Sequence, residues 1–219
     1  MICADCTHIV WDWNGTLLND VDIALGVTNQ MLSERGLPQL TVQSYREVFG
    51  FPIRQYYEKI GFDCTGFDQL AHEFVSRFYA QASRFRLYPE VTAVLNAAAE
   101  RGMTQSILSA SREQELRLVV DQLRITNYFC SIDGLSDNYA HSKVERGVLS
   151  LERLGVDPAR TVLIGDTTHD SEVAGAMGSR CLLIANGHQS RARLTQRSEV
   201  VAENLAQVRS WIISSCNRG

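Results

Sequence analysis

His8-Ile9-Val10-Trp11-Asp12-Trp13-Asn14-Gly15-Thr16-Leu17 sets a short apolar run directly against a polar turn that begins with a carboxylate. A run this short, rich in β-branched and aromatic residues, reads as a strand buried on both faces, with Asn14-Gly15 as the turn after it. The pattern returns at Thr161-Val162-Leu163-Ile164, which runs into Gly165-Asp166-Thr167-Thr168-His169-Asp170. Between these two, Ser106-Ile107-Leu108 leads to Ser109-Ala110-Ser111. Further on, Cys181-Leu182-Leu183-Ile184-Ala185 leads to Asn186-Gly187-His188-Gln189-Ser190, and Phe129-Cys130-Ser131-Ile132 is a shorter candidate.

Amphipathic stretches separate the runs. Leu116, Val119, Val120 and Leu123 recur at helical spacing, as do Val144, Val148, Leu151 and Leu154 before Gly155, and Val173, Ala174 and Met177 before Gly178. Strands alternating with helices predict an α/β fold with a parallel sheet covered on both faces. Ligands in such sheets bind beyond the carboxyl ends of the strands, so the residues just after each run are the ones to watch. One segment breaks the alternation. Helices are expected at 22–35, 41–49, 52–60 and 67–84, with turns at Gly36-Leu37-Pro38, Gly50-Phe51-Pro52 and Gly61. The expected organisation is an α/β core of residues 1–20 and 86–219, with a helical block at 21–85 inserted after the first strand. Such a block is either a lid over the strand ends or a peripheral subdomain.

Composition narrows the function classes. The 219 residues are 45% hydrophobic and carry 21 basic against 25 acidic side chains, a net charge of −4. That is enough apolar material for a core. The mildly acidic balance argues against broad binding to nucleic acid or an anionic membrane, which needs clustered cations. No run of about 18 apolar residues is present, so no spanning helix is expected. Met1-Ile2-Cys3-Ala4-Asp5-Cys6 lacks a basic region followed by an apolar core, so no signal peptide is expected and a cytoplasmic location follows. The six cysteines are scattered, which suits reduced thiols. Cys3 and Cys6 have redox or zinc spacing, but no second pair completes a zinc site, and the pair precedes the first strand instead of opening a helix.

The chemistry concentrates at Asp12, Ser109, Lys143, Asp166 and Asp170. Carboxylates gathered at one point attract a hard divalent cation, and a lysine with a hydroxyl suits a bound phosphate. At these residues the sequence resembles the haloacid dehalogenase superfamily, in its phosphoglycolate-phosphatase-like branch with a helical cap. The match lies in Asp-x-x-Gly-Thr-Leu at 12–17, Ser109, Lys143, and Gly-Asp-x-x-x-Asp at 165–170. The resemblance implies a Rossmann-like parallel core with an inserted α-helical cap, and Mg²⁺-dependent hydrolysis of a small phosphorylated metabolite by a monomer or homodimer. Asp12 would be the nucleophile and a Mg²⁺ ligand, forming an aspartyl-phosphate. Asp166 and Asp170 would complete the metal site with the Asn14 backbone carbonyl. Ser109 would bond a phosphoryl oxygen, and Lys143 would pair with phosphate and nucleophile. Gly15 and Thr16 would shape the turn.

Asn14 departs from the pattern. Phosphatases of this superfamily usually carry a second Asp there, to protonate the leaving oxygen and activate water. An amide cannot exchange that proton, and losing such help costs roughly 10²–10⁴ in rate. Three readings stand open: a phosphatase with another acid, such as His141, His169 or His188; a different chemistry, haloacid or phosphonate cleavage; or a phosphate-binding protein without turnover. Dehalogenases generally lose the metal carboxylates, which this chain retains. Phosphonate cleavage needs a cap lysine, and the helical block offers only Lys59. Elsewhere, the resemblance implies a substrate-facing turn at Phe49-Gly50-Phe51-Pro52 with Arg54 reading an anionic substrate, and the alternative is a hydrophobic turn with a solvated arginine. Asn186–Ser190 borders the same face of the sheet, open between a contact with the site and a plain loop, with the plain loop preferred. Trp11 is expected in the core and Trp13 near the cap interface. Arg191, Arg193 and Arg197 form a basic run too short to bind a polyanion.

Overall fold

The computed structural model describes residues 5–135, 142–197 and 200–214; Cys3, His141 and Cys216 lie outside them. Among the described residues, β1 (His8–Trp11) is followed by four helices, α1 (Val21–Glu34), α2 (Val42–Val48), α3 (Ile53–Lys59) and α4 (Phe67–Tyr79). The chain then alternates: α5 (Val91–Glu100), β2 (Thr104–Arg112), α6 (Glu113–Gln122), β3 (Ser131–Leu135), α7 (Ser142–Leu154) and β4 (Thr161–Gly165). It closes with α8 (Thr168–Met177), β5 (Arg180–Ile184), α9 (Arg191–Leu194), β6 (Val201–Ala202) and α10 (Leu205–Ser214).

The six strands form one sheet in the order β3-β2-β1-β4-β5-β6, with every pairing parallel. β1 lies between β2 and β4, His8 facing Thr104 on one side and Thr161 on the other. The chain builds outward from β1 in one direction, then returns to place β4 on its other flank. The carboxyl ends of β1 and β4 therefore border the switch in strand order, where open α/β sheets leave a crevice for ligands. Both strands are buried along their whole length, which is why they read as unbroken apolar runs.

Several expectations shift by a few residues. β2 runs on to Arg112 and so includes Ser109, expected just beyond it; the ladder to β3 carries an irregularity between Leu108 and Arg112 that lets the strand bend. The strand expected at 129–132 lies at Ser131–Leu135, and β6 has only two residues, too few for a periodic signal. The helix expected at 67–84 ends at Tyr79, with a separate 3₁₀ turn at Ala82–Arg84. Trp11 is fully buried, its indole N–H donating to Gln105 Oε1 at 3.0 Å. Trp13 is buried in the same apolar cluster as Ile23, Ala24, Phe78 and Phe85, at the roots of the inserted helices. The inserted helices also have an apolar centre of their own, including Leu25, Met31, Tyr45, Tyr57, Phe67 and Leu70. Among the described residues, no helix is long and apolar enough to cross a membrane.

His8 opens β1 with its ring buried between the Thr104 hydroxyl, 2.7 Å from Nδ1, and the Ser106 hydroxyl, 2.9 Å from Nε2. Burial pushes its pKa down from 6.5 to about 4. Between those values the unfolded chain binds a proton that the folded one refuses. Stability is therefore fully present above about pH 6.5 and falls as the pH drops towards 4. The whole span corresponds to roughly 3 kcal/mol. His8→Gln should flatten this acid limb in urea-denaturation midpoints measured between pH 6.5 and 4, and an unchanged limb would remove His8 from its causes.

Candidate active site

The residues that follow β1 and β4 meet across the switch point. Asp12 continues the ladder beyond β1, its N–H donating to Ile164 O at 2.8 Å. Lys143, in the first turn of α7, donates to Asp12 Oδ1 at 2.6 Å and to Asp170 Oδ1 at 2.7 Å, with 3% of the lysine exposed. Asp170 is aimed by the start of α8: its Oδ2 accepts from the Thr167 N–H at 3.0 Å and the Thr167 hydroxyl at 2.7 Å, a capping-box arrangement. Asp166 is fully buried, accepting from the Thr16 hydroxyl at 3.1 Å and the His188 N–H at 2.5 Å. Glycine is required on either side of it. A Cβ on Gly187 would stand 2.1 Å from Asp166 Oδ2, and one on Gly15 2.3 Å away, and Gly15 also holds a φ of +73°.

Carboxylate oxygens of Asp12, Asp166 and Asp170 lie within 4.8 Å of one another. Burial raises the Asp12 pKa to about 6 against the pull of Lys143, with Asp170 repelling. Asp166 is pushed well above the usual carboxylate range by burial and by its two acidic neighbours, His188 opposing. Asp170 resists its burial and stays below that range because Lys143 and Thr167 hold its charge. Lys143 is likewise buried, but the two carboxylates keep it protonated. One lysine cannot balance three buried carboxylates. The donors are all hard oxygens, and a hard divalent cation fits the remaining deficit.

The sequence placed Asp12, Lys143, Asp166 and Asp170 in one site, and the structure brings them together. Ser109 is buried beside them, its hydroxyl accepting the Ser111 N–H at 3.0 Å. Asn14 borders the same cavity, held at both ends of its amide. Its Nδ2 donates to Asp20 Oδ2 at 2.8 Å, and its Oδ1 accepts from the Ser111 hydroxyl at 2.8 Å. An amide meets both demands at once, whereas a carboxylate at position 14 would face Asp20.

Asp20 and His188 complete this group, and the plain-loop reading of Asn186–Ser190 is corrected. Asp20 Oδ1 accepts the Gly15 N–H at 2.7 Å and lies 3.3 Å from His188 Nε2, while His188 Nδ1 lies 2.8 Å from the Tyr45 hydroxyl. Burial opposes charge on His188, but Asp20, with Asp166 and Asp12 beyond it, raises its pKa to about 9. The signal for both was positional: Asp20 immediately precedes the first inserted helix, and His188 follows the end of β5. His169 stacks on Phe51 and sits 3.2 Å from Glu172.

Arg54 is exposed and lies outside the cavity lining, donating to Cys64 O at 2.9 Å and lying over the Phe67 ring. The basic residues near the carboxyl end have internal partners: Arg193 donates to the Arg46 and Phe49 carbonyls, and Arg46 to the Asn186 and Gly187 carbonyls, so they clamp the inserted helices onto the core. Cys6 is a buried thiol near Arg180, and the acidic trio is the metal-ligand cluster found among the described residues.

These residues floor a cavity of about 180 Å³ between the sheet and the inserted helices. Asp12, Asn14, Ser109, Lys143, Asp166 and Asp170 border it from the core, and aromatic side chains including Phe49, Phe51, Tyr57, Phe67 and Phe74 border it from the insertion.

The family model described as haloacid dehalogenase-like hydrolase matches residues 9–184. The phosphoglycolate phosphatase of Aquifex aeolicus is 27% identical over 188 residues, covering 82% of this chain and 85% of that protein. That of Pseudomonas putida is 25% identical over 190 residues, covering 82% and 70%. A haloacid dehalogenase-like family hydrolase from Streptococcus pneumoniae superposes with a TM-score of 0.81 at 20% identity, over 94% of this chain and 98% of that one. At that identity the likeness speaks for the fold.

Proposed function

The chain belongs to the haloacid dehalogenase-like hydrolases, and from that premise we propose that it is a Mg²⁺-dependent phosphatase of small phosphate monoesters, with Asp12 as nucleophile. One observation carries the reading. Three buried carboxylates and a buried lysine converge on the floor of a cavity roofed by the insertion, where a phosphoryl group would meet them.

In this reading Asp12 attacks phosphorus to give an aspartyl-phosphate, and water then releases the phosphate. Lys143 holds Asp12 in position and offers its remaining proton to a phosphoryl oxygen. Ser109 offers a hydroxyl to another. Asp12, Asp166, Asp170 and the Asn14 carbonyl would hold the cation, which when bound neutralises charge on the transferring group. Residues 21–85 act as the lid that excludes bulk water. The substrate named for the relatives is a small phosphate, and a roofed cavity of this size suits one.

Phosphonate chemistry through a cap lysine is disfavoured, because the chain has two lysines and Lys59 lies exposed on α3, outside the cavity lining. A binding protein without turnover would have no need for Lys143 buried against the nucleophile. Phosphate release from acetyl phosphate and p-nitrophenyl phosphate tests the proposal. Turnover should require Mg²⁺, fall at least 10²-fold in EDTA, and return when the ion is restored. Undiminished turnover in EDTA would refute the metal's role.

A further inference from the structure

The cavity that receives the leaving group is aromatic on the side of the insertion. The basic side chains bordering it, among the described residues, are Lys143, His188 and Arg112. Lys143 is committed to Asp12 and Asp170, and His188 lies between Asp20 and Tyr45. Arg112 is two-fifths exposed and 3.7 Å from Glu115, with its Nε buried and without a hydrogen-bond partner. The one arginine of the insertion placed by sequence to read an anion, Arg54, lies outside the cavity lining and donates to the Cys64 carbonyl. A carboxylate or a polyhydroxylated chain brought against these rings would lose water and gain few partners beyond Arg112 and the tyrosine hydroxyls. A flat apolar ring would meet Phe49, Phe51, Tyr57, Phe67 and Phe74.

Asn14 points the same way from a separate observation. Its amide has no proton to give to a departing alkoxide, and it is locked between Asp20 and Ser111. A phenoxide leaves as a stabilised anion and needs none. From these two features, and resting on the phosphatase reading above, we propose that the substrates are aryl monophosphates, esters of a single-ring phenol. The steps balance without an added acid. Asp12 forms its bond to phosphorus as the P–O bond to the ring breaks, and the electron pair leaves with the phenoxide, which takes a proton from solvent. Water then attacks the aspartyl-phosphate, the bond to Asp12 breaks to regenerate the carboxylate, and the water's proton leaves on the phosphate.

The test is a panel of phosphates with wild type and Asn14→Asp: phenyl phosphates bearing graded ring substituents, acetyl phosphate, glycerol phosphate, a hexose phosphate and phosphoglycolate. Wild-type kcat/KM for phenyl phosphate should exceed that for phosphoglycolate and the sugar phosphates by about 10²-fold or more. Among the phenyl series it should fall steeply as the phenol becomes less acidic. Asn14→Asp should flatten that slope and raise the alkyl phosphates selectively. Phe51→Ala should raise KM for phenyl phosphate about three- to tenfold, the loss expected of one aromatic contact. Phosphoglycolate or a sugar phosphate matching phenyl phosphate would overturn the aryl assignment while leaving the phosphatase reading intact. No turnover of any member, acetyl phosphate included, by either protein would overturn the phosphatase reading itself.

Discussion

Asp12→Asn should lower kcat on every phosphate the enzyme turns over by about 10⁴-fold or more, the scale seen when a covalent nucleophile is removed. The substitution is nearly isosteric, so the fold should survive. Asp12 is one of three buried carboxylates set against a single lysine, and the environment holds its pKa up at about 6. Neutralising it removes repulsion with Asp170 while taking away one partner of Lys143. The variant should therefore melt within a few degrees of wild type, which separates lost chemistry from lost structure. Retained turnover would refute Asp12 as nucleophile, whatever the stability.

Lys143→Met should affect both properties. Without the ammonium, Asp12 and Asp170 are left buried with no counter-charge, and removing one partner of a buried ion pair costs about 3–5 kcal/mol. In EDTA at neutral pH the urea midpoint should fall accordingly. The pH dependence has a definite sign. Asp12 binds its proton more tightly folded than unfolded even with Lys143 present. Acidification through pH 6 thus protonates the folded form first and should narrow the deficit. Added Mg²⁺ should narrow it too, by binding the folded state. Turnover should drop by about 10²–10³ even with the metal restored, since a preorganised charge at the transferring group is gone. A variant as stable as wild type in EDTA would contradict the charge balance drawn for this site.

Much of the site was legible because an α/β sheet announces it. Asp12, Ser109 and Asp166 each sit at the end of an apolar run, and Asp170 is one helical turn beyond Asp166. Lys143 belonged to the motif set that carried the family resemblance. His188 was named only as one of three candidate acids, and Asp20 not at all, because their meeting depends on how the loop after β5 packs beneath α2. Arg54 stood open between reading an anion and lying in solvent, and its partners, the Cys64 carbonyl and the Phe67 ring, come from residues 10 and 13 positions on that only the packed insertion brings to it. The aromatic roof was visible as single residues but not as a surface. Phe51, Tyr57 and Phe74 come from different segments of the insertion, and only the packed fold shows them facing one cavity.

The covalent role of Asp12 can be read directly. Protein quenched in acid during steady-state turnover of acetyl phosphate with Mg²⁺ would be digested and its peptides weighed. A phosphoryl group should appear on the peptide containing Asp12, be lost on treatment with mild base as an acyl phosphate is, and be absent from Asp12→Asn. Turnover with no phosphoryl adduct on that peptide, or with the adduct on another residue, would contradict the account.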